Sequence, residues 1–90
     1  MKPNNNESLL QFPCDFVIKV FGHATPDFEE NVLSIIRFNI KDLEENSVKK
    51  RPSKDGKYLS LSITLPIDSR EQLDNIYKAL SDNQHVIMVL

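Results

Sequence analysis

Hydrophobic and polar positions along this chain follow two periods, one typical of strands and one typical of helices. Four segments show apolar–polar alternation or a short apolar run bounded by turns, at residues 16–21, 47–51, 58–65 and 85–89. These segments predict strands. In the first and last intervals between them, apolar residues recur at three- and four-residue spacing, which predicts a helix in each interval. The predicted order is therefore strand, helix, strand, strand, helix, strand.

Each predicted helix begins at a capping signal. Thr25 is the expected N-cap of the first helix, and Pro26 follows at the first helical position, where a missing N–H costs nothing. Ser69 and Gln72 have the spacing of a capping box at the start of the second helix. The buried stripes are predicted at Phe28, Val32, Ile35 and Ile36 in the first helix and at Leu73, Ile76, Tyr77 and Leu80 in the second.

This order of elements predicts a ferredoxin-like βαββαβ fold of the α+β class. Two right-handed crossovers joined by a hairpin interleave into a four-stranded antiparallel sheet of order 4-1-3-2, with both helices on one face. We expect residues 1–8 to form a disordered N-terminal tail and residues 9–90 to form a single domain. Gly22 is expected to end the first strand.

The second face of the predicted sheet has no helix to cover it. The apolar positions expected on this open face are Val17, Phe21, Tyr58, Ile87 and Val89. An exposed apolar patch on a small sheet is usually buried by another segment of the chain or by a partner. We expect the cover to be either a short turn that carries Leu9, Leu10 and Phe12, or a second copy of the chain in a homodimer.

Three connections are predicted to meet at one end of the sheet: the exit of the first strand, the tip of the hairpin and the start of the last strand. Five basic residues and Asp55 give residues 49–57 a net charge of +4, although the whole chain carries −2. The first helix also directs its N-terminal N–H groups to this end. We therefore predict an anion-binding site formed by Gly22, His23, Lys54, Lys57 and His85. The alternative is that the lysines only solvate an exposed hairpin.

Composition restricts the partners and the location. The net charge of −2 argues against a nucleic-acid binder. Phe21 and Tyr58 could serve as the aromatic residues of an RNA-binding sheet, but the chain has no RNP1-type stretch. Cys14 is the only cysteine, so an internal disulfide is excluded and the cytoplasm is the expected location. We recognise neither a signal peptide nor an apolar run long enough to span a bilayer, so no membrane association is expected.

The residues that catalysis or metal binding would need are not combined in this chain. His23 and His85 have no third ligand at close spacing, so no metal or other cofactor is predicted. A glycine-rich phosphate loop is excluded because the chain has only two glycines. A hydrolase of acylphosphatase type shares the topology but needs an arginine in the first turn, and residues 22–26 contain none. We therefore predict that the protein is not an enzyme.

The position of the single thiol argues against a nucleophilic role. Cys14 lies at the start of the first strand and His23 lies past its end, so the extended chain separates them by more than about 20 Å, too far for a thiol–imidazole pair. We expect Cys14 to be a structural thiol that lies beside Leu90.

Three parts of the chain resemble the YbeD family of small bacterial proteins. They are Leu10–Phe16 with Ile18–Val20 and Gly22, then Arg51–Lys54 with Gly56–Tyr58 and Ser60, and finally Ile76–Leu80 with Val86–Leu90. The resemblance covers residues 9–90 and implies a βαββαβ domain similar to ACT-type regulatory domains. In such domains ligands bind by the first strand–helix turn, often at a dimer interface. The family also carries an association with lipoate metabolism, and it brings no catalytic residues.

We therefore expect a cytoplasmic, non-catalytic regulatory domain that binds a small acidic ligand or an acidic protein surface at the predicted anion site. Lipoate has a carboxylate head and an apolar tail, which suits a basic rim beside an apolar sheet face. The alternative is a pure protein–protein interaction module with no ligand. Its binding surface would be the open sheet face or the unpaired edge of the second strand.

Overall fold

Strands and helices alternate in the order that the hydrophobic pattern predicts. The computed structural model describes residues 11–90. Its elements are β1 (Cys14–His23), α1 (Pro26–Asn39), a 3₁₀ turn (Glu45–Ser47), β2 (Val48–Pro52), β3 (Tyr58–Ile67), α2 (Arg70–Asp82) and β4 (Val86–Val89). All strand pairs are antiparallel, and the sheet order is β2-β3-β1-β4. The predicted ferredoxin-like fold and its strand order are confirmed.

Both helices cover the same face of the sheet, and the core lies between them and the central strands. The core residues are Ile18, Val20, Phe28, Val32, Ile36, Ile40, Leu61, Ile63, Leu65, Ile67, Leu73, Ile76 and Leu80. Alternate residues of β1 and β3 supply the sheet side of this layer, as the two-residue period requires. Each fully buried aliphatic side chain contributes about 1.5–3 kcal/mol relative to an exposed one.

The predicted helix caps are present. The Phe28 N–H donates to Thr25 Oγ1 at 3.2 Å, and the Gln72 N–H donates to Ser69 Oγ at 3.1 Å. The return bond of the capping box is displaced by one residue, because Gln72 Oε1 accepts from the Asp68 N–H at 2.7 Å. Gln72 Nε2 also donates to the Asn39 carbonyl at 3.0 Å, which ties the start of α2 to the end of α1.

The strand boundaries differ from the predicted ones in places. β1 continues through Gly22 to His23, because its pairing with β3 runs without interruption to His23 opposite Tyr58. The prediction that Gly22 ends the strand is therefore wrong. β3 continues through Pro66 to Ile67, past the end of its pairing with β2 at Ile63, where a proline is accommodated.

A bulge in the β1–β4 pair changes which residues of β4 face solvent. Val89 lies opposite Val20 and packs against the core, whereas Met88 lies opposite Phe21 on the open face. The register shifts between Phe21 and Gly22, so that Gly22 lies opposite Val86. The prediction of Val89 on the open face is therefore wrong, since an extra residue reverses the alternation.

The partner of Cys14 also differs from the prediction. The backbone of Leu90 pairs with that of Lys19 through two N–H···O bonds of 2.8 and 2.9 Å, whereas Cys14 lies opposite Ile67 of β3. Because β4 has only four residues, it covers only the second half of β1. The Cys14 thiol is half-buried.

The predicted tail at residues 1–8 and the predicted contacts of Leu9 and Leu10 lie outside the described residues. Phe12, from the same predicted turn, packs against the core.

Candidate functional site

The three connections that the topology predicts at one end of the sheet do meet there. The Ala24 N–H, just after β1, donates to the Lys57 carbonyl of the hairpin at 2.9 Å. The carbonyl of His85, just before β4, lies within 2.7 Å of the point where a Cβ on Gly22 would be. His23 lies opposite Tyr58 in the β1–β3 pair. We call this group of connections the hairpin end of the sheet.

Gly22 is buried on the helix side of the sheet and does not reach the surface that the lysines occupy. A Cβ at this position would overlap the Phe28 ring of α1. The glycine therefore allows the first helix to pack closely on β1 near its cap. Among the predicted site residues, Gly22 supports the site from inside the fold.

His23 lies on the opposite face, where it forms an aromatic contact. Its ring lies 5.2 Å from the ring of Tyr58, with the planes inclined by 31°. Both residues are exposed, so the pair presents an aromatic edge to solvent beside the hairpin. The contact ties the end of β1 to the start of β3.

The hairpin tip is an ordered turn that presents two lysines. Ser53 Oγ donates to Asp55 Oδ1 at 2.7 Å, and the Lys57 N–H donates to the same oxygen at 3.1 Å. These two bonds, in that order of importance, hold the pKa of the Asp55 carboxyl below its ordinary value. Gly56 has φ +75°, a conformation that favours glycine. Lys54 and Lys57 are exposed on this turn.

His85 is half-buried where α2 passes into β4. Its backbone N–H donates to Asn83 Oδ1 at 2.9 Å, and Asn83 Nδ2 donates to Asn31 Oδ1 of α1 at 3.1 Å. This amide link holds the start of β4 against α1. His85 therefore borders the hairpin end from the helix side, whereas His23 borders it from the open face.

The basic residues of β2 are divided between the two faces of the sheet. Lys50 lies toward the helices, where its Nζ is 3.3 Å from Glu29 Oε2 of α1. Lys49 and Arg51 lie opposite Ser62 and Ser60 on the open face. Lys19 of β1 lies opposite Ser62 from the other side.

The open-face cluster formed by Lys19, Lys49 and Arg51 was not predicted from the sequence as a site. The alternation of Lys49, Lys50 and Arg51 does show that the first and third share a face. The position of Lys19 relative to them depends on the pairing register of three strands.

The N-terminus of α1 is largely satisfied by its own sequence. Thr25 accepts the Phe28 N–H, and Pro26 has no N–H to offer. Asp27 and Glu29 add negative charge to the first turn. The helix dipole therefore adds little to the attraction of an anion at the hairpin end.

Residues 11–90 contain no group of three or more histidine, cysteine, aspartate or glutamate side chains that could hold a metal ion. No helix within this range is long and apolar enough to cross a membrane.

The fold and the hairpin end define a small ferredoxin-like domain with a basic end to its sheet. The chain belongs to the family described as "Protein of unknown function (DUF493)", which it matches over residues 7–90. The resemblance to YbeD-type small bacterial proteins is thereby confirmed.

Curated relatives match nearly the whole chain. A UPF0250 protein of Paraburkholderia phytofirmans is 44% identical over 85 residues, which cover 94% of this chain and 96% of the relative. A UPF0250 protein of Nitrosomonas europaea is 43% identical over 84 residues, which cover 93% of this chain and 97% of the relative. A UPF0250 protein of Neisseria meningitidis is 40% identical over 86 residues, which cover 96% of this chain and 94% of the relative.

A solved structure shares the fold. The solution structure of protein HP0495 from H. pylori superposes with a TM-score of 0.74, at 17% sequence identity, and covers 99% of this chain and 88% of that protein. At this level of identity the similarity supports the ferredoxin-like architecture alone.

Proposed function

We propose that the protein is a non-catalytic regulatory domain of the cytoplasm that binds an acidic partner at the hairpin end of its sheet. The partner is a small carboxylate ligand or an acidic protein surface, and lipoate is the candidate ligand that the family association suggests. The location rests on the single cysteine, which suits a reducing compartment.

One observation supports this proposal: the two lysines of the hairpin tip form no ion pair within the described residues, so the tip keeps a net positive charge. No carboxylate of residues 11–90 forms an ion pair with Lys54 or Lys57. The adjacent Asp55 accepts hydrogen bonds from Ser53 and the Lys57 backbone and keeps its negative charge, so Lys54, Asp55 and Lys57 together carry a net charge of +1. A protein of net charge −2 therefore presents a positive tip beside the His23–Tyr58 ring pair, and such a local field attracts anions.

The test is a thermal-shift screen of the purified chain against lipoate, octanoate, amino acids, nucleotides and phosphate. A ligand at 100 times its Kd stabilises by about 2.7 kcal/mol, which raises Tm by several degrees in a domain of this size. We expect the shift to be lost in Lys54→Glu and Lys57→Glu. Lys41→Glu, which reverses an exposed lysine far along the chain from the hairpin, is the matched control and should keep it. A shift that survives both hairpin reversals would contradict the proposed site.

A second candidate, an interaction module without a ligand, is favoured by the apolar side chains on and around β4. Val17, Ile87, Met88 and Leu90 are each about half exposed or more. If a second copy covers them, sedimentation equilibrium should show a concentration-dependent dimer that Met88→Glu disrupts. Ser34→Glu, at an exposed position of α1 on the other side of the sheet, should not disrupt it. A monomer at all concentrations would contradict the homodimer. A partner on this face should still bind the Lys54→Glu variant.

A further inference from the structure

Two adjoining hollows lie on the open face of the sheet, and the smaller one reaches Ser53 at the base of the hairpin tip. The larger has a volume of about 410 Å³, and its wall includes Lys19, Phe21, Lys49, Arg51, Ser60 and Ser62. The smaller has a volume of about 190 Å³, and its wall includes Phe21, Arg51, Pro52, Tyr58, Leu59 and Ser60. Phe21, Arg51 and Ser60 belong to both, so the two hollows form one continuous depression.

The sheet register explains why the cations meet in the larger hollow. Lys19, Ser62 and Lys49 form one row across β1, β3 and β2. Phe21, Ser60 and Arg51 form the next row on the same face. Neighbouring strands are about 4.8 Å apart and same-face neighbours on a strand about 7 Å apart, so the three cations surround the two serines within roughly 10 Å.

The charge of this cluster is uncompensated inside the protein. Within the described part of the chain, Lys19, Lys49 and Arg51 form no ion pair, whereas Lys50 of the same strand is paired with Glu29. Three like charges over one hollow repel each other, and an anion between them would relieve that repulsion. The Ser62 hydroxyl can donate a hydrogen bond to the same anion, whereas the Ser60 hydroxyl donates its single proton to the Arg51 carbonyl at 3.3 Å.

The smaller hollow has a different chemistry. Phe21 and Tyr58 supply its open-face rings, and Pro52, Ser53 and Leu59 complete its lining. Tyr58 is 46% exposed and Phe21 is half-buried, so both rings offer apolar surface at the depression. A flat or short apolar group could cover them while remaining joined to an anionic group in the larger hollow.

We propose that this depression binds a small amphipathic anion. Its carboxylate or phosphate head lies among Lys19, Lys49 and Arg51, and its apolar body lies against Phe21 and Tyr58. The inference goes beyond the proposed function, because it assigns a second anion site to the open face and leaves the hairpin end to the acidic partner proposed there.

The experiment is an NMR titration of the ¹⁵N-labelled full chain with two amphipathic probes, phenyl phosphate and octanoate. Inorganic phosphate and acetate are the control ligands, because each has the anionic group of one probe but lacks its apolar group. We expect amide shifts centred on Lys19, Phe21, Arg51, Ser60 and Ser62, and a Kd for each amphipathic probe at least about tenfold below that of its head alone. Equal affinity for probe and head, or shifts centred on residues 53–57, would overturn the inference.

Variants separate the two parts of the site. Lys49→Gln and Arg51→Gln should each weaken both probes by roughly tenfold, as expected for the loss of a charge-assisted contact. Tyr58→Ala should weaken phenyl phosphate but leave inorganic phosphate unchanged, which a merely structural role of Tyr58 would not do. Lys41→Gln, the matched control, should change nothing.

The remaining outcomes decide between this inference and the proposed function. If Lys54→Gln and Lys57→Gln weaken the probes while Lys49→Gln and Arg51→Gln do not, the inference fails and the proposed function stands. If neither probe binds below about 10 mM, the inference fails, and the thermal-shift screen alone then decides the proposed function. If a glutamate-rich peptide or a short single-stranded oligonucleotide binds through Lys49 and Arg51 when the small probes do not, the face belongs to a macromolecule and the small-ligand proposal is wrong.

Discussion

Phe28 of α1 occupies the space that any side chain on Gly22 of β1 would need. A Cβ at position 22 would overlap the Phe28 ring and would lie 2.7 Å from the His85 carbonyl oxygen. The close contact joins the first strand, the first helix and the start of β4 at one point. We expect Gly22→Ala to lower the free energy of unfolding by about 1–3 kcal/mol, as for other overpacked cores, measured by urea denaturation.

Two further variants test whether overlap is the cause of that loss. Phe28→Leu removes part of the ring, so Gly22→Ala should cost less in the Phe28→Leu background, with a coupling of about 0.5 kcal/mol or more. Gly56→Ala is the control for backbone strain alone, because Gly56 has φ +75° and open space around it. Its cost should be about 1–2 kcal/mol and should not depend on residue 28. Strict additivity of Gly22→Ala and Phe28→Leu would contradict the overlap.

Gln72 connects the two helices through both ends of its side-chain amide. The oxygen accepts the Asp68 N–H and the nitrogen donates to the Asn39 carbonyl, 33 residues away in sequence. Gln72→Ala leaves both groups without these partners, so we expect a loss of about 1–2 kcal/mol in the free energy of unfolding. Gln84, an exposed glutamine in the turn before β4, is the matched control, and Gln84→Ala should change stability by less than about 0.5 kcal/mol. Equal effects of the two substitutions would refute the helix link.

The β4 bulge makes a prediction about neighbouring residues. Val89 packs against the core opposite Val20, and Met88 is 46% exposed opposite Phe21. Val89→Ser should therefore destabilise by about 1–2 kcal/mol, whereas Met88→Ser should change stability by less than about 0.5 kcal/mol. Unfolding curves of the two variants test this register. A larger loss of stability in Met88→Ser than in Val89→Ser would contradict the bulged pairing.

The periodicity of the chain was sufficient to predict the fold. The clean alternation from Tyr58 to Leu65, together with caps at Thr25 and Ser69, determines element type and order without any tertiary information. The bulge was not predicted because the residues of β4 are all apolar, so their pattern does not indicate where an extra residue is inserted. A single inserted residue is enough to exchange the faces of Val89 and Met88.

The site was predicted only in part, for a related reason. Convergence of His23, His85 and the hairpin follows from topology and is present in the structure. The role of Gly22 depends on the position of Phe28, which helix packing determines. The open-face cluster depends on register, since Lys19 and Lys49 come together only when both lie opposite Ser62.

The Asp55 carboxylate links the order of the hairpin tip to pH. Its pKa is lowered from the ordinary value of 3.8 by the hydrogen bond from Ser53 and then by that from the Lys57 N–H. A carboxyl whose folded pKa is depressed stabilises the folded state fully above its unfolded pKa, and the contribution is lost as pH falls through the folded pKa. We therefore expect Asp55→Asn to be less stable than the parent protein near pH 6, with the difference shrinking below about pH 3.8.

The carboxyl titration of Asp55, followed by ¹³C NMR, measures the same effect directly and should have its midpoint below 3.8. Ser53→Ala removes the largest cause of the shift, so the midpoint should rise toward the ordinary value in that variant. Asp42→Asn, at an exposed acidic residue outside the hairpin, controls for the change in net charge. A midpoint at or above 3.8 in the parent protein would show that the Ser53–Asp55 bond does not persist in solution. The two lysines would then be carried on a loose turn, and a site at the hairpin end would have to be ordered by its partner.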